Sequence, residues 1–202
     1  MTNKGAARLD VHIIRMPGEK TQHLEAALAG VARSVVHKVQ GTRGHLGKGR
    51  ARGFLKGSAP YVTHVDPDDE LLPECIPDML DLMDANPELA GICPMEYVQS
   101  PGKERILRRT RRFPPNGDIM TPAQMVRVPH HVVVLRREAL LPYLPQVATW
   151  ENWGDYALLA RMALDGKKFM FHEAPAYVWH TDAGSARSTL PRSVPAEELI
   201  RE

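Results

Sequence analysis

The sequence predicts an α/β domain, and three observations carry that reading. Short strand-like runs alternate with helical patterns along the 202-residue chain, as helices layered on a sheet require. No internal repeat or low-complexity tract interrupts the alternation. Apolar residues make up 43% and charged residues 25%, enough to bury one core and too balanced for disorder.

The elements follow in order. Leu9 to Ile14 reads as the first strand, closed by Pro17-Gly18. Thr21 is placed to cap a helix whose apolar positions Leu24, Leu28 and Val31 recur at helical spacing. Val35 to Val39 is a second strand, ending in a glycine-punctuated loop from Gly41 to Gly49. Tyr61 to Val65 is a third, and it runs straight into Asp66-Pro67-Asp68-Asp69. Ile76, Met79, Leu80 and Met83 mark an amphipathic helix that starts near Pro77 or carries a broken first turn. Ile92 to Val98 is a fourth strand, and residues 100 to 130 form a proline-rich, loop-like insertion. A strand from His131 to Leu135, a short helix from Arg136 to Leu141 and a Trp150–Trp153 turn come next. A helix then runs from Gly154 or Asp155 to Asp165 and stops at Gly166. Lys168 to His172 and Ala176 to Trp179 are the last two strands, and the tail after Ser185 is loop with a frayed helix.

Composition excludes several classes. No run approaches eighteen apolar residues, so no membrane span is expected. The mixed N-terminal stretch lacks the apolar core of a secretory signal. Cys75 and Cys93 form no CxxC motif and suit a reducing cytosol. A net charge of +2 names no partner. The distribution is more informative, because Pro101 to Arg112 holds six cations against one anion.

The carboxylates after the third strand are the first chemical signal. Ligands of open α/β sheets sit beyond the carboxyl ends of the strands, and carboxylates there suit Mg²⁺ or Mn²⁺ shared with phosphate oxygens. An acidic turn capping the next helix has the same appearance. A calcium loop does not fit, because Leu71 stands where an EF-hand needs glycine.

The surrounding residues give the cluster a context. Gly49-Arg50-Ala51-Arg52-Gly53, then Tyr61-Val62, then Val65-Asp66-Pro67-Asp68-Asp69-Glu70-Leu71-Leu72-Pro73 resembles the core of family 2 glycosyltransferases. Gly154-Asp155-Tyr156-Ala157-Leu158-Leu159-Ala160-Arg161 is similar to their acidic helix start, and Tyr177-Val178-Trp179-His180 followed by Gly184-Ser185 to their terminal strand with its histidine. The three motifs occur in the family's order across roughly residues 8 to 188. The resemblance implies a GT-A fold: a Rossmann-like nucleotide-diphospho-sugar transferase with a mixed, mostly parallel sheet. One domain would fill residues 1–202, with a nucleotide-sugar half at 1–99, an acceptor half at 100–188 and a tail at 189–202.

The resemblance also implies roles. Asp66 and Asp68 would form the DxD site for Mn²⁺ or Mg²⁺, Asp66 also reaching the donor ribose, with His180 as a further ligand. Asp69 would join them or cap the helix. Arg50, Lys48 and Arg43 would hold the diphosphate of a nucleoside-diphosphate sugar, with Arg52 as a neighbouring cation. Asp155 would be the general base of an inverting transfer. Gly154 replaces the family's usual Glu before that Asp, which leaves Glu151 as a substitute base. The family's base-reading aspartate is also missing, with Gln40 or Thr42 in its place.

Arg108, Arg109, Arg111 and Arg112, with Trp153, mark the expected acceptor side. Such a cluster attracts a polyanion, and Phe113 offers a ring for stacking. Of the adjacent pair His130-His131, alternation along a strand lets only one face the cleft. With no span and no signal, the expected setting is cytoplasmic, or the host cytoplasm for a phage-encoded enzyme. The expected acceptor is DNA carrying a hydroxylated or hydroxymethylated pyrimidine. A glycan or lipid acceptor, a nucleotidyltransferase and a non-catalytic nucleotide-binding module are the alternatives.

Overall fold

A computed structural model describes residues 6–16, 18, 22–29, 31, 33–42, 45–108, 113–125, 131–150 and 154–181. Its centre is an eight-stranded sheet in the order β2-β1-β3-β7-β5-β8-β4, with β6 paired to β5. The long strands β1 (Leu9–Arg15), β2 (Ser34–Gln40), β3 (Tyr61–Val65), β5 (Leu89–Gln99) and β8 (Lys168–His180) all run one way. The short strands β4 (Glu70–Leu71), β6 (Ile106–Leu107) and β7 (Val134–Arg136) run against them. The sheet is therefore mixed and mostly parallel, as the sequence predicts.

Side chains alternate across this sheet, and each face has its own core. On one face Leu9, Val11, Ile13, Tyr61, Val65 and Ile92 meet α1 (Gln22–Leu28) and α3 (Ile76–Ala85). The periodic residues Leu24, Leu28, Met79, Leu80 and Met83 are buried there as their spacing predicts. On the other face Val62, Cys93, Met95, Phe169 and Phe171 meet α2 (Leu46–Phe54), α4 (Pro122–Met125), α6 (Leu144–Val147) and α7 (Gly154–Leu164). Two helical layers thus enclose the sheet. Among the described residues, no helix is long and apolar enough to cross a membrane.

Five sequence expectations change. The glycine-rich segment is not all loop, because Leu46 to Phe54 winds into α2. Its glycines serve packing, since a Cβ at Gly47 would collide with the backbone carbonyls of Val147 and Trp150. The two final strands are one, because register shifts against β5 around Met95 absorb the residues before Pro175. The Arg136–Leu141 helix is α5 (Arg137–Leu140), continued through a 3₁₀ turn at Leu141–Tyr143 into α6. The strand expected from His131 begins only at Val134, because His131 and Val132 form a turn with Val132 at φ +53°. The insertion carries β6 and α4, and α4 is capped reciprocally by Thr121 and Gln124.

At the start of β1 the buried Asp10 carboxylate accepts from Arg137 (2.5 Å), His37 (2.7 Å) and the Ala59 N–H (2.8 Å). His12 stacks on His37 and meets Phe54 edge-on. Burial pushes the His12 imidazole down to about 4 from an ordinary 6.5. The unfolded chain then binds more protons than the folded one between those values, so stability falls as pH drops through that window. This side chain accounts for at most about 3 kcal/mol. Urea midpoints should fall from pH 7 to pH 5 in the wild type and vary less in His12→Phe. Parallel profiles would remove His12 as the cause.

Candidate active site

The site is built where β3 ends. Val65 is the last buried strand residue, and the chain turns at Asp66 with the Asp69 N–H reaching back to the Asp66 carbonyl (3.4 Å). That turn aims Asp69 inward. Its carboxylate, 4% exposed, accepts from the Tyr177 hydroxyl (2.7 Å) and the His180 backbone N–H (2.8 Å). Tyr177 also accepts from the Asp66 N–H (3.2 Å), so one phenol ties both aspartates to β8. Burial pushes the Asp69 carboxyl up to about 7. A cation arriving beside it would favour the ionised form.

Arg50 comes from α2 and is 6% exposed. Its Nη2 lies 3.3 Å from the Asp155 carboxylate and 3.8 Å from that of Asp66. Burial alone would lower the guanidinium, but Asp155 and Asp66 outweigh it and hold the group above its ordinary value. Asp155 sits in the first turn of α7, itself 7% exposed. One buried cation therefore connects the turn after β3 with the start of α7. Among the described residues, Arg50 Nε and His64 Nε2 are buried without a hydrogen-bond partner. Burial and the nearby Arg50 push His64 down to about 4, so its ring is neutral at pH 7.

Asp66, Asp69 and His131 each offer a ligand atom, and these atoms all lie within 4.8 Å of one another. Two carboxylates and an imidazole suit a divalent cation such as Mn²⁺. Of the expected ligands, Asp66 belongs to this group. Asp68 is exposed beside it, and His180 contributes its backbone N–H to Asp69. The signal for His131 was its place in the His130-His131 pair; Asp69 lay in the acidic run itself.

The other expected positions divide. Lys48 is exposed on α2, and two residues of helix turn it about 200° away from Arg50. Arg108 turns inward to Glu96 at 2.6 Å, and Arg105 pairs with Glu70 at 2.7 Å. Phe113 packs on Phe171 at 5.3 Å between ring centres, partly buried against the core. Trp150 packs against the same core. Arg43, Arg109, Arg111, Arg112, His130, Glu151 and Trp153 lie outside the described residues, as do Thr21, Gly184 and Ser185. Sequence reasoning passed over Glu96. A lone carboxylate inside the apolar run Ile92 to Val98 was its only signal.

A family model for glycosyl transferase family 2 matches residues 7–143, most of the chain. The chain belongs to that family. The match takes in β1 to β7, Arg50 and the Asp66–Asp69 turn, and it stops before α7 and β8. A fragment of S. aureus TarS in complex with UDP-GlcNAc superposes with a TM-score of 0.67 at 12% identity, over 96% of this chain and 64% of that one. A second TarS structure gives 0.60 at 11%, over 95% and 41%. CMP:2-keto-3-deoxy-manno-octonic acid synthetase complexed with CTP gives 0.52 at 13%, over 85% and 91%. At these identities the likeness is one of fold, and it extends the GT-A architecture past the family match into α7 and β8. The chain spans less than two thirds of the TarS fragment's length. No curated protein matches it.

Proposed function

We propose that this protein transfers a sugar from a nucleoside-diphosphate sugar to an acceptor hydroxyl, with a divalent cation and with inversion. The observation that carries the reading is Arg50, buried between Asp66 and Asp155 at the carboxyl end of β3 in a family 2 chain. Residues 1–99 would be the donor half and 100–188 the acceptor half. Asp66, Asp69 and His131 would hold the cation, with Asp68 and His180 at its margin. When bound, that cation neutralises charge on the departing diphosphate. Arg50 orients Asp155, and its unpartnered Nε is a donor for a phosphate oxygen. Asp155 takes the acceptor's proton as the hydroxyl oxygen attacks the anomeric carbon. Lys48 and Arg43 would add charge toward the diphosphate.

The test is thermal stability with nucleoside diphosphates and their sugar conjugates, with and without Mn²⁺. UDP is the first probe, because the TarS fragment is bound to UDP-GlcNAc. A ligand at about 100 times its Kd stabilises by about 2.7 kcal/mol. The expected result is a Mn²⁺-dependent rise for one nucleotide that Asp66→Asn abolishes. No rise with any of them would leave the family fold without this activity.

For the acceptor we propose a polyanion, namely DNA bearing a hydroxylated pyrimidine. The support is the cationic run Arg108 to Arg112, reduced by the inward pairing of Arg108. The likeness to the CTP-bound synthetase favours one other reading, a nucleotidyltransferase. That enzyme would release pyrophosphate from a nucleoside triphosphate, whereas the transferase releases a nucleoside diphosphate.

A further inference from the structure

Glu96 is the most deeply buried carboxylate among the described residues, with 0% exposure. It lies in the middle of β5, on an otherwise apolar stretch, and both of its oxygens are used. Oε1 accepts from Arg108 Nη1 and Oε2 pairs with His131 Nδ1, each at 2.6 Å. A carboxylate taken wholly out of water survives only with such partners.

His131 is held from every side. Its ring stacks on Tyr177 with centres 4.7 Å apart and planes 11° from parallel, and Trp179 lies 6.2 Å away. The next residue, Val132, is fully buried at φ +53°. A β-branched residue in the left-handed region is strained and persists only where packing enforces it, and such strain gathers at functional sites. Here it turns the chain so that the imidazole meets both Glu96 and the Asp66–Asp69 pair. A neutral ring that donates Nδ1–H to the Glu96 carboxylate leaves its lone pair on Nε2. A histidine that binds a metal through one nitrogen characteristically donates the other N–H to a carboxylate.

We propose that Glu96 is a positioning residue for the cation site: it fixes the tautomer and ring plane of His131 as the third ligand beside Asp66 and Asp69. Through Arg108 the same carboxylate ties that ligand to the segment after β6. The inference rests on the metal-dependent reading above and adds a residue that touches neither donor nor acceptor.

The experiment is a Mn²⁺ titration of the full chain, with free Mn²⁺ followed by electron paramagnetic resonance. Wild type is compared with Glu96→Gln, Glu96→Asp and His131→Gln, each checked by circular dichroism. Wild type is expected to bind one Mn²⁺. Glu96→Gln should weaken binding by about 10- to 100-fold. Glu96→Asp keeps the charge but withdraws the oxygen, and should weaken it as well. A folded Glu96 variant with lowered melting temperature and wild-type Mn²⁺ affinity would mean a merely structural carboxylate and overturn the inference. Should neither Glu96 variant fold, His131→Gln decides, and unchanged affinity there overturns it. A wild type that binds no Mn²⁺ overturns this inference and the metal-dependent reading together. Wild-type binding with unaffected Glu96 variants overturns this inference alone.

Discussion

Replacing Asp155 by Asn should lower the transfer rate by about 10³-fold while donor affinity stays within about threefold. The split follows from the geometry. Asp155 occupies the first turn of α7, across Arg50 from Asp66. Asn keeps the shape and one acceptor oxygen, so Arg50 retains an acceptor at that position and the Asp66 charge at 3.8 Å on its other side. It cannot take a proton from a hydroxyl. The loss should therefore fall on turnover and spare binding. Asp66→Asn should act in the opposite sense, since it removes a proposed cation ligand and weakens donor and Mn²⁺ binding first. Turnover with the donor identified by thermal shift, read beside its Kd, separates the two. An Asp155→Asn variant with more than about a tenth of the wild-type rate would reject this base and direct attention to Glu151.

Gly47→Ala should destabilise the fold by about 4 kcal/mol, at the upper end for a single substitution. A Cβ there would meet the carbonyl oxygens of Val147 and Trp150, both backbone atoms that no rotamer can move aside. Relief needs α2 to separate from the end of α6, and α2 carries Arg50. Gly49→Ala, two residues on, meets the Ile14 Cγ2 methyl at 3.3 Å and the Gly41 Cα at an ordinary van der Waals distance of 3.9 Å. It should cost little, because Ala also raises helix propensity by about 1 kcal/mol. Urea denaturation of the two variants makes the comparison. Similar effects at both positions would mean that the helix contact does not set the requirement for glycine. If these glycines instead cradled phosphate, Gly49→Ala would abolish the nucleotide-dependent thermal shift at unchanged stability.

Much of the site's chemistry was legible in order along the chain. An apolar run ending in acidic residues, an arginine upstream and an acidic helix start downstream are local patterns. Short-range spacing and the fold's rule that ligands meet strand ends suffice to read them. The element pattern was legible for the same reason, since burial on one face imposes a period of two or of 3.6. That is why β3 falls on Tyr61–Val65 as expected and why Leu24 and Leu28 share the buried face of α1.

Other decisions depend on residues far apart in sequence. Whether the segment around Gly47 is a loop or a helix is decided by backbone about a hundred residues away, at Val147 and Trp150. Asp69 and His131 share a cluster because β8 supplies the Tyr177 phenol that grips one aspartate and the ring on which the histidine stacks. Arg108 looked like an exposed cation until β5 placed a buried carboxylate beneath it. By itself the sequence determined the layers, the strand that ends in carboxylates and the residue types available for chemistry, because those follow from local periodicity and side-chain identity. Only the tertiary structure decided which of those residues meet. A charged group's partner is set by strand order and register, and burial makes an unpaired charge too costly to keep.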